Sequence, residues 1–123
     1  MPGDSNRRRR VAELLKRELA VLIQQELDDP RVDGVTITAV EVSADLAAAK
    51  IYFTTLAEGE GVAQTTLALN KAAGFLRRVL KHRIVLRGVP QLRFRFDESV
   101  SKGAALTSLI ERAIAEDSEH KVE

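Results

Sequence analysis

Asn70-Lys-Ala-Ala-Gly-Phe-Leu-Arg-Arg-Val-Leu-Lys-His-Arg83 is the stretch on which the reading of this chain turns. Phe75, Leu76, Val79 and Leu80 recur at helical spacing and are expected to face a core. Lys71, Arg77, Arg78, Lys81 and Arg83 are interleaved with them. The small residues Ala72, Ala73 and Gly74 interrupt the pattern, and the apolar positions from Leu67 to Leu80 do not form one stripe. Glycine inside a helix costs about 1 kcal/mol relative to alanine. The expectation is therefore two helices between Val62 and about Ile84, meeting at a kink with Ala73 at the elbow and Gly74 opening the second helix. Bare backbone at a helix N-terminus favours phosphate, and a missing side chain lets a sugar-phosphate backbone come close. A second reading stands beside it: Ala72 and Gly74 are small because a neighbouring element packs on them.

Downstream, Gln91-Leu-Arg-Phe-Arg-Phe-Asp97 alternates strictly. Leu92, Phe94 and Phe96 belong to one face of a strand, Arg93 and Arg95 to the other. Upstream, Val35–Ser43 is rich in β-branched residues and reads as a strand. Its apolar phase slips from Val35, Ile37 and Ala39 to Val40 and Val42, which predicts a bulge near Ala39. Ala44–Ala47 is a turn, and Ala49–Leu56 completes a hairpin. Before it, Val11, Leu15, Leu19, Leu22 and Leu27 mark an amphipathic helix over residues 6–27. Asp28-Asp29-Pro30 stops that helix, because the residue before proline avoids the helical region. A last helix is expected over 104–115. The fold class is α+β: helix-strand-strand-helix-(kink)-helix-strand-helix, with a three-stranded sheet covered on one face by helices. Residues 1–5 read as a flexible N-terminus, 6–115 as a single domain and 116–123 as a short polar tail.

The formal net charge of +1 over 123 residues conceals a segregation. Residues 70–95 hold eight Lys/Arg and no Asp/Glu, where the average composition would place about four acids. Residues 1–17 hold six Lys/Arg, with Arg7, Arg8, Arg9 and Arg10 in succession. The acidic residues concentrate in 18–69 and 96–123. The two basic blocks are the candidate contact surface for a polyanion; the alternative is a solvated face that aids solubility.

Several chemistries find no support. There are no cysteines, which excludes disulfides, thiolate catalysis and cysteine-ligated zinc, and fits a cytoplasmic protein. His82 and His120 are the only histidines and have no partners at metal-ligand spacing. Asp28-Asp29-Pro-Arg-Val-Asp33 lacks calcium-loop spacing and reads as a helix stop. No P-loop and no nucleophile elbow occur. Neither a signal peptide nor about 20 consecutive apolar residues are present, so no membrane role is expected. No catalytic residue, metal or cofactor is assigned.

Taken in order, several segments resemble the ribosome-binding factor A family. They are Arg10-Val-Ala-Glu13 with Arg17-Glu-Leu19, Glu26–Val32, Val40-Glu-Val-Ser43 with Asp45-Leu46 and Ala49-Lys50, Asn70–Arg77, Arg83–Pro90, and Leu92–Ser99. The resemblance spans roughly residues 6–115. It implies a type II KH domain whose Gly-x-x-Gly loop is replaced by Ala-x-Gly, here Ala72, Ala73 and Gly74. It further implies binding to the immature small (30S) ribosomal subunit and its 16S rRNA, a part in late rRNA maturation and cold adaptation, and assembly GTPases as release partners. The expected RNA-binding residues are Arg7, Arg8, Arg9, Arg10, Lys71, Ala72, Ala73, Gly74, Arg77, Arg78, Lys81 and Arg83, on a protein that is monomeric off the ribosome. A ribosome-associated translation inhibitor acting on mature subunits is the alternative.

Overall fold

The computed structural model describes residues 2–86 and 88–99, with side chains from residue 6 onward. Helix α1 spans Pro2–Glu26 and so begins ahead of the expected start at residue 6. The segment expected as a loose tail enters the helix at Pro2, where a fixed φ and a missing N–H suit a first turn. Val11, Leu15, Leu19, Leu22 and Ile23 are buried along one side, whereas Leu27 is only partly buried. Each such burial contributes about 1.5–3 kcal/mol. Beyond α1, the Asp29 carboxylate accepts the backbone N–H of Arg31 at 2.9 Å and caps a 3-10 turn, Pro30–Val32. The helix stop expected at Asp28-Asp29-Pro30 is thus built as a capped turn.

Strands β1 (Thr36–Val42) and β2 (Ala48–Thr54) pair antiparallel. Their register shifts between Ile37 and Ala39, leaving Thr38 as the extra residue. The bulge lets Ile37 and Val42 both be buried, although an unbroken alternation would put them on opposite faces. Ser43 and Asp45 knit the hairpin turn: the Asp45 carboxylate accepts the Ser43 hydroxyl at 2.6 Å and the Ala47 N–H at 3.1 Å. Strand β3 (Gln91–Phe96) pairs parallel with β2, giving the sheet order β1-β2-β3. A parallel pair needs a long crossover, and helix α2 supplies it.

Helix α2 spans Glu60–Arg83 as one helix of 24 residues. This corrects the expected division at Ala72-Ala73-Gly74, through which the helix continues unbroken. Gly74 is absent from the glycines with positive φ, which are Gly34 and Gly59. Leu67 and Phe75 have the side chains of core residues but do not reach the core. They are 53% and 39% exposed. Without them, Thr65, Leu69, Leu76 and Leu80 form one buried stripe, with Ala72 and Ala73 partly buried beside it. Burying three leucines outweighs the roughly 1 kcal/mol that Gly74 costs the helix.

Both helices lie on one face of the sheet, α1 against β1 and α2 against β3. Phe53, Phe94 and Ile51 fill the layer between, and Phe53 meets Phe96 edge-to-face at 5.9 Å. Buried Thr65 places its hydroxyl 2.9 Å from the carbonyls of both Arg31 and Gly61, tying α2 to the 3-10 turn. The architecture is α+β and consistent with a KH-like fold. The helix expected over 104–115 and the tail 116–123 lie outside the described residues.

Candidate nucleic-acid interface

One turn of an α-helix takes 3.6 residues, or about 100° per residue. On α2 this places Lys71, Gly74, Arg78 and Lys81 within an arc of about 80°, opposite Leu69, Leu76 and Leu80. All four are exposed, whereas the three leucines are fully buried against the sheet. The face therefore points away from the buried leucines, with Lys81 next around the helix from Asn70, the residue that reaches β3. It extends about 15 Å along the axis from Lys71 to Lys81. Among the described residues, Lys71, Arg78 and Lys81 have no ion pair or side-chain hydrogen bond. A Cβ added at Gly74 would meet nothing within 4 Å. Packing therefore does not explain the glycine, while the partly buried Ala72 and Ala73 pack against the core.

Three expected contacts have intramolecular duties instead. The Arg77 Nε donates to the Val89 carbonyl at 2.9 Å, holding the loop that leads into β3. Arg83 pairs with Glu18 at 2.9 Å and links α2 to α1. Arg8 donates to the Val42 carbonyl through Nε at 3.2 Å and Nη2 at 3.0 Å. Val42 ends β1, an edge strand, so Arg8 occupies an acceptor that would otherwise be open. Arg7, Arg9 and Arg10 are exposed without such partners. Arg7 lines a hollow with Asp45, Leu46 and Ala47 of the β1–β2 turn and with Arg77, and Arg9 lines one with Lys50 and Arg93 at the rim of the sheet. The twelve expected residues thus resolve into six unpaired cations on two elements, three engaged arginines and the Ala72-Ala73-Gly74 segment.

Other basic residues stand outside the expected RNA-binding set. Lys50, Arg93 and Arg95 are exposed on the sheet face away from the helices. The alternation of Gln91–Phe96 already put Arg93 and Arg95 on that face. Only the pairing of β3 with β2 brings Lys50 opposite Arg93.

The acidic groups with shifted titration serve the frame. Hydrogen bonds from Ser99, then from Thr38, hold the Asp97 carboxyl below the usual aspartate range. Ser43 does the same for Asp45, and Arg31 for Asp29. No group of three His, Cys, Asp or Glu that could hold a metal occurs among the described residues. Among those residues no helix is long and apolar enough to cross a membrane.

Fold and site together define a small α+β domain with one helix face lined by unpaired cations. The chain belongs to the ribosome-binding factor A family, whose model matches residues 7–110. It is 53% identical over 117 residues to ribosome-binding factor A of Thioalkalivibrio sulfidiphilus, covering 95% of this chain and 91% of that one. It is 52% identical over 122 residues to that of Pseudomonas fluorescens, covering 98% and 92%. The crystal structure of ribosome-binding factor A from Thermus thermophilus matches with a TM-score of 0.63 at 34% identity, over 72% of this chain and 93% of that one. Coordinates of the same Thermus factor fitted into a cryo-EM map of its 30S complex match with a TM-score of 0.60 at 34% identity, over 71% and 91%.

Proposed function

We propose that this chain is a cytoplasmic assembly factor that binds the immature small ribosomal subunit and assists late maturation of 16S rRNA. Lys71, Arg78 and Lys81 act as phosphate contacts beside the bare backbone of Gly74. The observation that carries this reading is the exposed α2 face, none of whose three cations forms an ion pair among the described residues, although Lys71 adjoins Glu26, Asp28 and Asp29 across a hollow. Partnership with the 30S subunit is supported by the Thermus factor fitted into its 30S complex.

No bond need break. A small rigid domain favours whichever rRNA conformation it fits, by its difference in affinity for the two. Phosphate contacts fix its position, and RNA shape supplies selectivity. Release follows when the matured surface no longer fits, with assembly GTPases as the class of protein that drives it. Cold adaptation follows from the same chemistry, since misfolded RNA helices persist longer at low temperature. Off the ribosome the protein is a monomer.

The test is binding of the purified protein to immature and mature small subunits. Tighter binding to the immature particle is expected. Equal binding to both, with translation inhibited, would select the translation-inhibitor reading.

A further inference from the structure

We infer that the open face of the sheet is a second site for an RNA phosphate backbone, so that the protein bridges two RNA segments. Bridging rests on the α2 site proposed above; the sheet site stands on its own observations. Lys50 on β2 is directly opposite Arg93 on β3, and Tyr52 is opposite Arg95. Adjacent strands lie about 4.8 Å apart, and alternate residues along a strand about 6.6 Å. Three cation stems therefore rise from one small patch, spaced for neighbouring phosphates of a single strand. Like charges directly opposite destabilise a sheet, and Glu41 on β1 is the one acid that the strand register sets beside this pair. Glu41, opposite Lys50, accepts the Tyr52 hydroxyl at 3.3 Å and forms no ion pair. Cations outnumber acids on this face three to one among the strand residues, Lys50, Arg93 and Arg95 against Glu41.

No described element covers this face. A hollow of about 740 Å³ at the rim is lined by Arg8, Arg9, Glu41, Lys50 and Arg93, so the basic N-terminal turns of α1 adjoin the patch. Lys71, Arg78 and Lys81 lie on the side of α2 opposite Leu69, Leu76 and Leu80, which pack on the sheet. The two cation faces are separated by the body of α2 and the sheet, which suits two RNA segments held together. Linking them through one rigid body makes the second contact effectively intramolecular.

The test compares Lys50→Gln/Arg93→Gln/Arg95→Gln with Lys71→Gln/Arg78→Gln/Lys81→Gln. One uridine oligomer is immobilised, and capture of a second, fluorescent one through the protein is measured. Wild-type protein should capture it, and each triple variant should lose capture while still binding the first oligomer. Each triple should also lower the slope of log affinity against log salt by about 2, at about 0.7 per contact with single strands. The melting temperature of the sheet variant should match or exceed that of wild type, since a like-charge pair is relieved. If it falls, Arg95→Gln alone tests the site, with a slope change of about 0.7 expected. Wild-type capture and slope in the sheet variants overturn the inference and leave the α2 reading standing. A slope lowered by the sheet triple but unchanged by the α2 triple sinks the α2 reading and the bridge, and leaves the sheet site. Weakened binding of poly-glutamate with RNA affinity unchanged would assign the face to an acidic protein segment and overturn the inference.

Discussion

Asn70 on α2 pairs with the backbone of Phe94 on β3 as a neighbouring strand would. Its Nδ2 donates to the Phe94 carbonyl at 3.1 Å, and its Oδ1 accepts the Phe94 N–H at 2.8 Å. Phe94 is the middle of an edge strand whose other side is paired to β2. One amide therefore satisfies both polar groups of an edge residue and fixes α2 lengthwise against the sheet. Lys71 and Gly74 follow on the same helix, so this clamp sets the position of the basic face.

Asn70→Ala should destabilise the protein by about 1–3 kcal/mol, because two partly buried backbone groups lose their partner. Asn70→Asp should also destabilise, since its carboxylate would face the Phe94 carbonyl without a donor. Urea denaturation measures both. An unchanged midpoint in either variant would show that water replaces the clamp without cost.

Arg77 and Arg78 are neighbours with opposite assignments, and single substitutions separate them. Arg77→Ala should lower stability by about 1–3 kcal/mol, because the carbonyl of buried Val89 loses its donor. Its slope of log RNA affinity against log salt should stay at the wild-type value. Arg78→Ala should change stability by less than about 0.5 kcal/mol and lower that slope by about 0.7–0.9. The reverse pattern would exchange their roles.

Asp97 supplies the pH dependence. Its carboxylate accepts the Ser99 hydroxyl and the Thr38 hydroxyl, each at 2.6 Å, and its own N–H donates to Phe53 O at 2.7 Å. The folded-state pKa is lowered, chiefly by Ser99 and then by Thr38. The resulting stability is therefore present above the unfolded aspartate value of about 3.9 and is lost as pH falls through the lower folded value. Asp97→Asn should be less stable than wild type at neutral pH, with the gap narrowing below about pH 4. Denaturation curves across that range decide it; a gap independent of pH would mean that the carboxylate's charge contributes nothing.

The strands were legible because their signals are local. Leu92, Phe94 and Phe96 alternate with arginines, and the slip of apolar phase at Ile37–Val40 marks the bulge. The continuity of α2 was not legible. Leu67 and Phe75 have the chemistry of core residues, and only packing shows them exposed. The charge segregation marked the blocks that carry the exposed cations, but composition cannot say which arginines are already engaged. Arg8, Arg77 and Arg83 are set aside by partners 34, 12 and 65 residues away. The Lys50–Arg93 pair was hidden for the same reason, since it exists only across a parallel ladder.

Gly74 separates recognition from packing most directly. It is exposed, lies inside an unbroken helix, and faces open space where a Cβ would stand. Gly74→Ala should therefore stabilise the protein by about 0.4–1 kcal/mol, chiefly by restricting the unfolded chain. Gly74→Val should fold as well, because its branched side chain points to solvent; its lower helix propensity offsets part of the gain. Neither variant removes a charge, so the salt slope of binding should be unchanged in both. Affinity for immature small subunits should nonetheless fall from glycine to alanine to valine, as added bulk keeps the sugar-phosphate backbone from the helix surface. Melting temperature and subunit affinity on the same two variants test both statements. Equal affinity for all three proteins would mean that RNA does not approach α2 at Gly74.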